Sequence, residues 1–210
     1  MAAAGMSAIG PSAVRAAQRW LDRNPSEWTP EDILTILNRS AWVREVPLEL
    51  PSAESGTTRG TKSGKGSPTQ FSVVVRWESG LPVRLARRIA TPAGSVPERY
   101  VVSVSRLPLA FLGAYAGRQH GEELSKSEVA AHLAATAVIE QGGKGMAIRA
   151  EKAEWQVSEL SQRVNISFLR TQNPIELAEG DVVVAGSIGG LGFKARFPLK
   201  SMVYREKLEL

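Results

Sequence analysis

Cysteine is missing from this chain altogether. That excludes disulfide bridges, thiolate metal sites and cysteine nucleophiles. It leaves the compartment open, because a domain of this size needs no bridges wherever it resides. Histidine is nearly as scarce: His120 and His132 are the only two, too few for a multi-histidine metal site. No apolar run approaches the about 20 residues that a membrane-crossing helix needs. The opening MAAAGMSAIGPSAV is small and mildly apolar. It has neither a basic leader region nor a leucine-rich stretch, so it does not read as a signal peptide. Neither Gly-x-Ser-x-Gly nor His-Glu-x-x-His occurs, which removes the commonest hydrolase and zinc-protease signatures. No cofactor is expected.

What is present is an ordinary globular composition. Of 210 residues, 43% are hydrophobic, enough to build a core without staples. The formal net charge is +5. Such an excess suits an acidic partner, nucleic acid or an anionic surface among them, and it equally suits a solvated basic surface.

The periodicities predict an α+β fold: N-terminal helices, a strand–helix–strand unit, an Ala-rich helix and a C-terminal antiparallel β-meander. Residues 1–25 read as a helical arm, with a helix over Pro11–Arg23 stopped by Asn24 and Pro25. Residues 26–210 read as a single domain. In it, Thr29 is placed as an N-cap, Pro30 at the first helical position and Asp32 three residues after the cap. Trp28 and Trp42 flank this helix as anchors. Residues 51–69, PSAESGTTRGTKSGKGSPT, hold no large apolar side chain and read as a flexible loop. Phe71, Val73, Val75 and Trp77 then alternate as one strand, and Tyr100, Val102 and Val104 as another. A short helix through Val83 and Ala86 lies between them, which allows the two strands to be parallel neighbours. Leu107–Arg118 is either a helix or irregular. Ser125 and Glu128 form a capping-box pattern opening an Ala-rich helix that runs to Ile139, with Gly142-Gly143-Lys144-Gly145 as its C-cap and loop. Trp155 and Val157 begin the β-rich remainder, followed by Val164–Phe168, Val182–Val184 and Phe193–Leu199, with a short final strand near Tyr204–Leu210.

Two glycine clusters invite a phosphate-binding interpretation and fail it. Gly60–Ser67 has the wrong spacing for a phosphate loop and precedes a strand. Gly186–Gly192 lies between two strands, where a hairpin turn explains it. Arginines are more informative. Arg76, Arg84, Arg87, Arg88, Arg99 and Arg106 fall in or beside the strand–helix–strand unit. Arg84, Arg87 and Arg88 on an outer helix face would form a basic patch able to hold phosphates, carboxylates or a protein partner. A plain solvated face accounts for the same residues. Aromatics interleaved with these arginines would favour nucleic acid, but Trp77, the one nearby, falls on the apolar face. Glu78 sits at a strand end, where function is common. Its structural alternative is capping or pairing with a nearby arginine.

Three stretches are familiar in combination: Trp28-Thr29-Pro30-Glu31-Asp32-Ile33 through Ile36–Trp42, Val75-Arg76-Trp77-Glu78-Ser79-Gly80-Leu81-Pro82-Val83-Arg84, and Phe197-Pro198-Leu199-Lys200 through Leu210. Together they resemble a group of uncharacterised, exported proteins common in Acidobacteria, over most of residues 28–210. The resemblance implies a shared fold and an extracytoplasmic location, and nothing about chemistry. The functional expectation is therefore a non-catalytic binding or interaction module acting on a protein or an anionic ligand through Arg84, Arg87 and Arg88. Two alternatives stand beside it: a carboxylate-dependent enzyme centred on Glu78 with His120 as helper, and a nucleic-acid binder driven by the basic excess.

Overall fold

The structure, a computed structural model, describes residues 19–49, 71–89, 97–116, 122–142, 145–158, 161–170 and 174–210. The expected loop at 51–69 with its glycine cluster, the start of the Pro11–Arg23 helix, the Pro/Gly break after Ile89, His120, and Gly143-Lys144 lie outside the described residues. The fold is mixed helix and strand around one large antiparallel sheet. Eight strands compose it: β1 (Val43–Pro47), β2 (Ser72–Trp77), β3 (Arg99–Ser105), β4 (Val138–Gln141), β5 (Ala147–Ser158), β6 (Ser161–Leu169), β7 (Asp181–Ile188) and β8 (Leu191–Pro198). Their order is β1-β2-β3-β6-β5-β4-β7-β8, and every neighbouring pair is antiparallel. The sheet curls until its two edges meet. Glu49, just past β1, and Gly192 of β8 exchange main-chain hydrogen bonds of 2.8 and 2.7 Å. Arg44 Nε also donates to the Arg196 carbonyl at 3.0 Å. The result is nearly a closed barrel.

Alternation decides what fills it. Val73, Val75 and Trp77 of β2, Tyr100, Val102 and Val104 of β3, Val164, Ile166 and Phe168 of β6, and Phe193, Ala195 and Phe197 of β8 are all buried. Trp77 touches Tyr100 and Phe197 edge-on, with centroids 5.8 and 5.7 Å apart, a favoured aromatic geometry. Trp20, Trp28, Trp42 and Tyr204 form a second aromatic group around the chain's first and last described segments. Tyr204 belongs to a two-stranded hairpin, β9 (Val203–Tyr204) with β10 (Lys207–Leu208).

Among the described residues, four α-helices complete the body: α1 (Pro30–Arg39), α2 (Leu81–Ala86), α3 (Leu109–Tyr115) and α4 (Lys126–Thr136). Both expected N-caps form. Ser125 and Glu128 make a reciprocal capping box on α4, and Thr29 and Asp32 make one on α1. The main-chain N–H of Thr29 holds the Asp32 carboxyl below its ordinary pKa, with the Thr29 hydroxyl and Arg23 adding to the effect against desolvation. A depressed carboxyl contributes stability above its unfolded pKa and loses it as pH falls through the folded value. Asp32→Ala is thus expected to cost about 1 kcal/mol at neutral pH. Denaturant titrations of wild type and variant should converge as pH drops below 4, and a pH-independent gap would show the cap makes no electrostatic contribution.

The structure corrects several sequence expectations. β2 and β3 are antiparallel neighbours, not the parallel pair that the intervening helix allowed. Residues 109–115 are helical. α4 stops at Thr136, and Val138-Ile139 begin β4 instead of extending the helix. Gly142 therefore follows β4 and caps no helix, and β5 starts at Ala147, well before Trp155. The C-terminal β region is not one meander: β4-β5-β6 is, but β7-β8 joins on the far side of β4. Gly189 and Gly190 turn the β7–β8 hairpin at φ 58° and 86°, the left-handed pair a two-residue turn requires. Trp20, placed in the N-terminal arm from sequence, packs in the aromatic group.

Candidate anion-binding site

On the sheet face opposite Val73, Val75 and Trp77, register aligns polar side chains. Arg76 of β2 lies opposite Ser103 of β3, and Ser103 opposite Asn165 of β6. The next row brings Val74, Ser105 and Arg163 together. Glu78, one residue beyond β2, is fixed by two backbone contacts: its own N–H and that of Ser79 both donate to the Val101 carbonyl, at 2.7 and 3.2 Å. Its side chain turns back over the row and is buried.

The Glu78 carboxylate organises everything around it. Oε1 accepts from Arg76 Nε at 2.9 Å, Ser103 Oγ at 2.6 Å and Arg87 Nη2 at 3.3 Å. Oε2 lies 2.8 Å from Arg87 Nε. Arg163 Nε comes within 3.8 Å of Oε1 and donates to Asn165 Oδ1 at 3.2 Å. Arg76 Nη1 also donates to the Leu37 carbonyl in the last turn of α1 at 2.8 Å, satisfying one of the acceptors that every helix end leaves open. Burial pulls the Arg87 guanidinium below its ordinary pKa. Glu78 opposes that, and the neighbouring Arg76 and Arg163 reinforce it.

A cavity of about 730 Å³ opens over these arginines, within the size range of small-molecule sites. Arg76, Arg87 and Arg163 line it. Arg106 stands at the exposed rim, 3.2 Å from Glu45. Leu34 and Leu37 of α1, Leu107, Leu109 of α3 and Trp155 of β5 supply apolar walls. Chemically the site can hold an anion beside hydrocarbon. The acceptor positions of Glu78 are occupied by guanidinium and hydroxyl donors, which suits it to anchoring arginines and not to taking a proton from a substrate. No cluster of metal-ligating side chains occurs among the described residues.

The three arginines predicted as one patch are separated. Arg87 turns inward to Glu78. Arg84 is drawn toward Glu209, with burial and Arg170 lowering its pKa and Glu209 raising it. Arg88 takes φ 55° just after α2. Its N–H donates to the Leu85 carbonyl and that of Ile89 to Arg84, the hydrogen-bond pair of a Schellman helix end. Glu78 pairs with nearby arginines, the structural alternative raised for it. His132 is exposed and accepts from the Gly189 N–H through Nδ1 at 3.3 Å, which ties α4 to the β7–β8 turn. Arg163 and Asn165 escaped the sequence analysis. Their signal was present, since both sit on the polar side of the Val164–Ile166–Phe168 alternation, but nothing local places that side over Glu78.

No helix among the described residues is long and apolar enough to cross a membrane. Comparison with protein-family models, curated proteins and solved structures finds no match to this chain.

Proposed function

We propose that the protein is a non-catalytic binding module for a small organic anion held in the pocket above Glu78, and that it acts outside the cytoplasm. The location rests on the resemblance of residues 28–210 to exported proteins. The ligand class rests on one observation: Arg76 and Arg87 both bond to a single buried carboxylate, so this trio by itself carries one uncompensated positive charge beside an open cavity. An anion entering the pocket relieves that charge where solvent screens it poorly. Of the arginines marked from sequence, Arg87 keeps a binding role, with Arg76 and Arg163 as its partners in place of Arg84 and Arg88.

Carboxylate salts should therefore raise the thermal unfolding midpoint at constant ionic strength, while chloride does not. Arg87→Met should weaken the binding about tenfold or more, the worth of a hydrogen bond to a charged group. Calorimetric titration checks this. Equal midpoints in all salts, or unchanged affinity in the variant, would remove the pocket from consideration.

A further inference from the structure

We infer that the ligand is an amphipathic monocarboxylate, its head on Arg87 and its hydrocarbon body along Leu34, Leu37, Leu109 and Trp155; this rests on the proposed function and specifies its ligand.

Three observations lead there. The first is charge. Arg76, Glu78 and Arg87 taken by themselves leave one positive charge, with Arg163 3.8 Å from the same carboxylate, so the floor favours an anionic head. At the rim, Arg106 already has Glu45.

The second is donor supply. Arg76 spends Nε and Nη2 on Glu78 and Nη1 on the Leu37 carbonyl. Arg87 donates Nη2 to Glu78 Oε1 and holds Nε 2.8 Å from Oε2 as an ion pair. A carboxylate needs few donors and matches the planar guanidinium.

The third is the wall opposite. Leu34 lines the cavity yet is 61% exposed. Leu37 and Leu109 are only partly buried against the core. An apolar wall facing a cationic floor fits a molecule with both characters, and a bare inorganic anion would leave the leucines wet.

The test is calorimetric titration of the full chain with butanoate, hexanoate, octanoate and decanoate at fixed ionic strength. Affinity is expected to rise roughly fourfold per buried methylene until the cavity is filled. 1-Octanol should bind at least tenfold more weakly than octanoate. Leu34→Ser, at a site too exposed to matter for folding, should weaken octanoate about fivefold and leave butanoate unchanged.

Affinity independent of chain length would overturn the amphipathic ligand. It would leave the anion pocket standing if Arg87→Met still weakened binding. Octanol binding as tightly as octanoate would overturn the carboxylate head. A Leu34→Ser effect equal on butanoate and octanoate would overturn the placement of the body. Failure of every carboxylate to bind would sink the inference and the proposed function together.

Discussion

Replacing Glu78 by glutamine is expected to lower the unfolding free energy by about 3–5 kcal/mol, the usual cost of removing one partner from a buried ion pair. Glutamine keeps the shape and an acceptor for Ser103, so the loss isolates charge. What remains is Arg76, 8% exposed, and Arg87, both deprived of their counter-ion, with Arg163 close by. The measurement is urea denaturation at neutral pH. A companion variant sharpens it: Glu78→Leu with Arg76→Met and Arg87→Met removes both signs at once. That variant should recover most of the stability, because buried ion groups are often replaceable by apolar ones. A loss below 1 kcal/mol for Glu78→Gln would mean that water or movement of the arginines already compensates the charge.

Trp20→Ala should cost a similar amount, about 3–5 kcal/mol, and lower Tm by roughly 6–20 °C. Trp20 is 1% exposed, stacked on Tyr204 with centroids 6.0 Å apart and edge-on to Trp28 at 5.8 Å. Truncation leaves a cavity that Trp28 and Trp42 cannot both close, since their indole N–H groups are held at the Trp20 and Glu209 carbonyls. A Tm unchanged within about 2 °C would mean that residues 19–28 are not part of the cooperative unit.

Short-range features of this protein were legible in its residues. Thr29-Pro30 with Asp32, and Ser125 with Glu128, announce two helix starts because a cap involves only neighbours three residues apart. β2 and β6 announce themselves because one face of each is buried and period two survives. β4 did not, since Val138-Ile139 continue an apolar run after α4. The helix ends where the Thr136 hydroxyl engages the His132 carbonyl and the main chain of Ser187, 51 residues away, a contact no local pattern encodes. The first half of β5 was hidden by Arg149, Glu151 and Lys152, charges on its exposed side. For the site, Arg76, Glu78 and Arg87 stood within one span of twelve residues and could be guessed as partners. Arg163 arrives from a different strand, and Ser103 to Asn165 is a matter of register alone. The separation of Arg84, Arg87 and Arg88 depends on where α2 stops.

The sealing of β1 against β8 also bears on how the chain acquires its shape. Arg44 meets the Arg196 carbonyl across 152 residues, and the Trp42 indole meets the Glu209 carbonyl across 167. Contacts so remote in sequence carry a heavy loop-closure cost, and chains dominated by them fold slowly. On the ribosome, β1 is made early and must wait for its partner until residues 191–210 have emerged. During that interval its outer backbone groups form an open template for strand pairing with other chains. Pro47, at the end of β1, lacks the N–H such pairing would use, and so blunts that edge until β8 arrives to cover it.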